Sequence, residues 1–214
     1  MAMAAASPSL PLVLDLDGTL IHTDTFHEMM AHLFFTKPWL LLLLPFWFLK
    51  GRPYAKRRLM ELTDLSPQNL PYNMTLLSFA QEEAQKGRPL ILATGTDQAM
   101  AEKVADHLGF FQEVIGSDGV INMTGFHKQQ ALLKRFGNKG FDYAGDSHKD
   151  LYVWEISRLA LVVHPKKGVL AKVQALKETH HIQHFPGKPA SFWRVFRAPP
   201  PRPEAEVSAQ AEFD

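Results

Sequence analysis

The stretch Leu12-Val13-Leu14-Asp15-Leu16-Asp17-Gly18-Thr19 (LVLDLDGT) decides the reading of this chain. An uninterrupted apolar run closes on two acids two positions apart, followed by a glycine and a hydroxyl. A run this short, stopped by Asp and Gly, is the pattern of a strand buried on both faces. The same pattern recurs at Leu90 to Thr94 (LILAT), Glu113 to Gly116 (EVIG), Phe141 to Ala144 (FDYA) and Leu159 to Val163 (LALVV). Helical periods lie between them. From Asp97 to Leu108, for example, Met100, Val104 and Leu108 recur every four residues behind a cap at Thr96 or Asp97. The alternation predicts an α/β fold, a doubly wound parallel sheet with right-handed crossovers and helices on both faces.

The gap between the first two strands is too long for one crossover and shows helical stretches without a convincing strand. It reads as an all-helical insertion over residues 23–87, with helices expected at His27 to Phe48, Tyr54 to Thr63 and Asn73 to Lys86. Residues 10–22 and 88–185 then form the α/β core. Residues 186–214 are Pro-rich (APPPRPEAE at Ala198 to Glu206) and carry no apolar period, which predicts a disordered tail.

Composition narrows the classes. The chain has 214 residues, 46% of them hydrophobic, which fits a globular domain with a small second lobe and excludes a disordered or collagen-like chain. Its 23 Lys+Arg against 22 Asp+Glu give no overall pull toward nucleic acid. With no cysteine there is no disulfide framework, thiolate nucleophile or Cys-ligated metal. The opening MAMAAASPSL lacks the basic start of a secretory signal, so a cytoplasmic location is expected. The longest nonpolar run, Pro38 to Leu49 (PWLLLLLPFWFL), is twelve residues, short of the roughly 18 to 20 a spanning helix needs.

In open α/β sheets, functional groups gather where strand C-terminal ends meet the crevice. The first strand there offers Asp15, Asp17 and Thr19, the second Thr94, Gly95 and Thr96, and the fourth Gly145, Asp146, Ser147 and Asp150, with Lys128 opening the helix before it. Carboxylates converging on one edge repel in low dielectric unless a cation sits among them. A site of few carboxylates, water and phosphate suits Mg2+ better than Ca2+. Two acids two positions apart can divide labour, one attacking and the other shuttling a proton. The Thr94 hydroxyl, nearby backbone N–H groups and the Lys128 ammonium can offset charge on a phosphoryl group.

Together these residues resemble the haloacid dehalogenase-like (HAD) superfamily of phosphohydrolases. Its DxDGT motif stands as DLDGT from Asp15 to Thr19, and its strand ending in Ser or Thr as LILAT at Thr94. The lone Lys heading a helix matches Lys128 in GFHKQQALL, and GDxxxD matches GDSHKD from Gly145 to Asp150. The resemblance implies that Asp15 forms an aspartyl-phosphate, that Asp17 acts as acid and base, and that Thr94, the Gly95 backbone and Lys128 hold the phosphoryl oxygens. It also implies Mg2+ on the Asp15 side chain, the Asp17 backbone carbonyl and Asp146, with Asp150 a ligand through water or a support for Lys128. The helical insertion corresponds to the family's C1 cap. The wider wording, including LLLLPFWFLKGR, LPYN and GFDYAGDS, is similar to the HAD domain fused ahead of UbiA-type prenyltransferases.

Three features stand outside that set. The Pro38 to Leu49 run has three readings: cap core, a partner surface, or a peripheral membrane contact through Trp39 to Leu49 beside the basic group Lys50, Arg52, Lys56, Arg57 and Arg58. His180, His181 and His184 (HHIQH) lack the spacing of a helical zinc site and read as a solvated or partly packed cluster. Phe192, Trp193 and Phe196 beside Arg194 and Arg197 lack a wider basic surface, so nucleic-acid binding is not expected. The expected substrate is a phosphate ester, either a small soluble molecule or a lipid-linked one.

Overall fold

The computed structural model describes residues 9–177 and 182–185. Among these residues six parallel strands form one sheet in the order β3-β2-β1-β4-β5-β6: β1 Leu12–Leu14, β2 Leu90–Asp97, β3 Glu113–Ser117, β4 Asp142–Gly145, β5 Ala160–Val163 and β6 Ile182–Phe185. The chain winds from β1 outward through β2 to β3, then returns to the other side of β1 for β4, β5 and β6. This reversal beside β1 is the topological switch point, where ligands enter such sheets.

The pleat divides each strand's apolar residues between two layers. Leu12 and Leu14 share one face with Leu90, Leu92, Leu161 and Val163, under the helices α4 (Met74–Gln85) and α5 (Gln98–Leu108). Val13 faces the other way with Ile91, Tyr143, Ala160 and Val162, under α6 (Phe126–Phe136), α7 (Leu151–Ile156) and α8 (Val169–Leu176). The doubly wound α/β class read from the sequence is therefore the observed one.

β6 is an addition. Of IQHF only Phe185 is buried, so the segment lacks the continuous apolar run that marks the inner strands. His184 lies in β6 and is exposed, whereas His180, His181, the Phe192 to Arg197 group and the Pro-rich stretch lie outside the described residues.

The expected helix from His27 to Phe48 is broken. α1 spans Thr25–Thr36, a 3-10 segment follows at Pro38–Leu43, and α2 spans Leu44–Leu49. Pro38 has no N–H to continue the ladder and disfavours helical geometry at the residue before it, so Lys37 sits at φ −144°, ψ 62°. Pro45 is tolerated because it falls in the first turn of α2. α3 follows at Arg52–Leu62. Met29, Leu33, Trp47, Ala55 and Leu59 form a separate small core among α1, α2 and α3, while α4 packs Leu76, Leu77 and Ala80 into the sheet's own core.

Candidate active site

Asp15, Thr94 and Asp146 come from adjacent strands. Asp15 follows β1 directly and its N–H donates to the Ala144 carbonyl of β4 (3.0 Å), while Asp146 follows β4 and Thr94 lies in β2. All three are buried. The turn after Asp15 needs glycine. Gly18 has φ +79°, and a Cβ there would meet Asp146 Oδ2 at 2.6 Å, so position 18 is both left-handed and in close approach to the second acid.

Lys128 is the third residue of α6 and is 2% exposed, which demands paired charge around it. Its ammonium donates to Asp15 Oδ1 (2.7 Å) and to the Tyr143 hydroxyl (2.9 Å), and lies 3.9 Å from Asp150 Oδ1. Tyr143 passes the contact on, donating to Asp150 Oδ1 at 2.6 Å. Asp150 Oδ2 accepts from the N–H of Asp146, the N–H of Ser147 and the Ser147 hydroxyl. Both Asp150 oxygens are thus engaged, which makes it a support for Lys128 and for the loop that carries Asp146.

Asp17 turns away from that group. Its Oδ1 accepts from the Thr25 N–H (2.8 Å) at the start of α1, and its Oδ2 accepts from the Thr96 hydroxyl (2.7 Å). Asp97, not Thr96, caps α5 by accepting from the Ala99 N–H. The Thr94 hydroxyl accepts from the Thr96 N–H (3.1 Å), which leaves its own proton to donate. The Gly95 carbonyl accepts from Lys56 of α3 (2.6 Å) and from the Ser117 hydroxyl (2.8 Å).

The electrostatics follow from crowding. Burial pushes the Asp15 carboxyl up to about 8; Lys128 opposes the shift, and Asp150 and Asp146 add to it. Burial and the Asp150 charge likewise push Asp146 up to about 6, although Lys166 sits 3.0 Å from its Oδ2. Asp17 is also raised, by burial and by Asp24, with the Thr25 N–H and the Thr96 hydroxyl pulling back. Lys128, Lys166 and, beside Asp17, Lys56 do not balance this acid group.

Carboxylate oxygens of Asp15, Asp146 and Asp150 all lie within 4.8 Å of one another. Because Asp150 is committed to hydrogen bonds, Asp15 and Asp146 are the carboxylates left to hold a cation. With the Asp17 carboxylate turned to Thr25 and Thr96, only its backbone carbonyl remains for that purpose. Two oxygen donors beside a raised Asp15 fit a hard divalent ion that keeps several water ligands, as Mg2+ does.

Every site residue expected from the sequence therefore lies at or beside this edge, with Asp17 and Gly95 set on its β2 side. The sequence alone does not assign Tyr143, Thr25, Lys56 or Lys166 to this site, Lys56 reading only as one of the basic group beside the apolar run. Tyr143 left a signal, since a tyrosine inside a doubly buried strand needs a partner for its hydroxyl. Lys56 left none, standing among Arg52, Arg57 and Arg58 with nothing to single it out.

Residues 12–155 match the model of the haloacid dehalogenase-like hydrolase family. The chain belongs to that family. A relative, the uncharacterized protein y4nM of Sinorhizobium fredii, is 42% identical over 155 residues, which cover 72% of this chain and 30% of y4nM. The match thus spans under a third of that relative. Among solved structures, a protein of unknown function from Bordetella pertussis superposes with a TM-score of 0.64 at 15% identity, over 84% of this chain and 99% of that one. A substrate-bound phosphoserine phosphatase superposes at 0.55 with 14% identity, over 78% and 91%. A phosphoserine phosphatase holding an analogue of a phospho-aspartyl intermediate superposes at 0.54 with 14% identity, over 83% and 94%. At these identities the likeness is one of fold, and it is the HAD-like fold.

Proposed function

We propose that this HAD-like hydrolase is a Mg2+-dependent phosphomonoesterase that works through an aspartyl-phosphate on Asp15, with its helical insertion over residues 23–87 as a C1-type cap. One observation carries the reading: a buried Asp15, gripped on one oxygen by Lys128, stands beside Asp146 at the joined ends of β1 and β4. The phospho-aspartyl analogue bound by a protein of the same fold supports it.

With Oδ1 held by Lys128, Asp15 Oδ2 attacks phosphorus and the ester P–O bond breaks. The proton for the leaving alcohol comes from Asp17, which must exchange a Thr25 or Thr96 contact for the leaving oxygen and whose raised affinity for the proton follows from burial and from Asp24. Asp17, now a carboxylate, takes a proton from water as the water attacks phosphorus, releasing inorganic phosphate and restoring Asp15. Thr94, the Gly95 backbone and Lys128 offset the charge on the phosphoryl oxygens in both steps. Mg2+, held by Asp15, Asp146 and the Asp17 carbonyl, would supply charge neutralisation at the phosphoryl group. The cap reading is supported by α3, whose Lys56 and Arg57 reach Gly95 and Asp97 at the end of β2.

The test is hydrolysis of a generic aryl phosphate in Mg2+. Asp15→Asn keeps the shape and removes the nucleophile, so turnover is expected to fall at least about a thousandfold with the circular dichroism spectrum unchanged. Activity within tenfold of the parent chain, by about the same measure, would remove the aspartyl-phosphate mechanism.

A further inference from the structure

The helical insertion has its own core, and it also has an apolar exterior. Met29, Leu33, Trp47, Ala55 and Leu59 fill the inside. Outside, from the end of α1 through the 3-10 segment to α2, Phe34 is 54% exposed, Trp39 63%, Leu42 76%, Phe46 64% and Leu49 84%. Of the two tryptophans in the run, Trp39 therefore belongs to the surface and Trp47 to the core. A second apolar layer turned to solvent is not a by-product of packing, because the lobe is already packed without it. Exposed apolar surface of this extent marks an interaction.

The charge around the layer says what covers it. From Met29 to Met60 the chain carries six Lys or Arg and no Asp or Glu, although the whole chain is nearly balanced at 23 to 22. Arg57 and Arg58 are engaged internally with Asp97 and Glu61, and Lys56 with the Gly95 carbonyl. Lys37, Lys50 and Arg52 are exposed and flank the apolar run on both sides. A second copy of the chain docked across a two-fold axis would set this cationic rim against itself. An anionic headgroup layer takes both parts together, the aromatic and aliphatic side chains entering the headgroup boundary and the rim meeting lipid phosphates. No helix among the described residues is long and apolar enough to cross a membrane, so the contact is peripheral.

We infer that the outer face of α1, the 3-10 segment and α2 docks the protein on an anionic lipid bilayer. The inference is independent of the reaction proposed above. It is tested by flotation of the full 214-residue chain with vesicles of phosphatidylcholine alone and with about a third phosphatidylglycerol, at low and high salt. The parent chain is expected to float with the anionic vesicles and less with the neutral ones, and to be partly released by salt. A Trp39→Ser, Leu42→Ser, Phe46→Ser variant is expected to lose at least about tenfold in partitioning, these three groups being the inserted ones. A Lys37→Gln, Lys50→Gln, Arg52→Gln variant is expected to lose the preference for anionic vesicles and most of the salt effect. Because all six positions are exposed, thermal unfolding of both variants should match the parent. Asp15→Asn should float like the parent, which separates this test from that of the chemistry. Failure of the parent to float with either vesicle overturns the inference, as does unchanged flotation of the apolar variant. Concentration-dependent dimerisation abolished by the apolar variant, without vesicle binding, would assign the face to a second copy instead.

Discussion

The two ends of the central sheet handle buried carboxylates in opposite ways. At the N-terminal end of β4, Asp142 is fully buried and surrounded by donors: Arg158 Nε reaches its Oδ1 at 2.8 Å and the Leu159 N–H at 3.0 Å, while Arg88 and the other arm of Arg158 take its Oδ2. Burial alone would raise its pKa, but the two arginines outweigh it and hold the group below the usual carboxylate range. At the C-terminal end of the same strand, Asp146, Asp15 and Asp150 crowd together with too little positive charge, and burial drives Asp15 and Asp146 upward. The neutralised acid is structural. The uncompensated ones are where the proposed cation and phosphoryl group would sit, since a site that must accept them cannot also be satisfied by its own side chains.

The comparison can be broken first at the structural end. Asp142→Ala takes one partner from Arg88, which is only 12% exposed but keeps Glu83 and the Leu10 carbonyl, and removing one side of a buried pair costs about 3 kcal/mol or more. Arg158 is half exposed and reclaims water, so the cost falls at the low end of that range. In urea unfolding the variant is expected to lose about 3 kcal/mol, with kcat of the folded fraction unchanged. An Asp whose pKa is depressed by folding contributes stability above the ordinary carboxylate range and loses it as pH falls through the depressed value. The deficit of Asp142→Ala should therefore shrink in acid. A deficit independent of pH would mean that Asp142 acts through packing rather than charge.

The other end has the opposite sign. Asp15 and Asp146 bind protons more tightly in the folded chain than in the unfolded one, so without metal their effect is to lower stability as pH rises from about 4 toward 8. The Mg2+ proposed for this site would compete with those protons. At a few tens of its Kd it should add about 2 kcal/mol near pH 8, by simple linkage. For a chain of this size that corresponds to a Tm rise of roughly 4 to 8 °C. Near pH 5.5, where Asp15 and Asp146 hold their protons, the rise should fall below half of that, and Asp146→Asn should remove it at both pH values. Equal shifts at the two pH values would place the ion elsewhere.

The same contrast explains what could be read from the sequence. Asp15, Thr94 and Asp146 were legible because each closes a doubly apolar strand, and strand ends meet wherever strands pair. Lys128 was legible only from its place at the head of the helix before the fourth strand, in the order of the motifs, since residues 119–141 hold no Asp or Glu that would single it out. What pairing of strands does not dictate is which side chain from a third element arrives beside them. Tyr143 lies inside a strand read only as apolar, Thr96 reads as a cap for α5 as readily as Asp97 does, and Lys56 comes from the insertion. The fold shows the same division. The inner strands β1, β2 and β5 announce themselves by apolar runs, whereas β6, buried only at Phe185, and the break at Pro38 depend on neighbours and on a single proline.

Tyr143 is the sharpest small test of how the uncompensated end is held in place. Its hydroxyl accepts from Lys128 and donates to Asp150, and without it the ammonium has a competing acceptor 3.9 Å away in Asp150 Oδ1. Tyr143→Phe keeps the ring that packs edge-on against Trp154 at 6.2 Å, so the sheet should lose only about 1 kcal/mol for the missing hydroxyl contacts. In the variant Lys128 moves toward Asp150 and its grip on Asp15 Oδ1 loosens. The Asp15 carboxylate, the proposed nucleophile, is then misaligned for the reaction, while the β2 groups proposed to take the phosphoryl oxygens stay in place. The expected result is a fall in kcat of about tenfold with KM nearly unchanged, the signature of lost alignment rather than lost binding. A loss of Tm with kcat intact would instead make Tyr143 a core residue whose hydroxyl serves only Asp150.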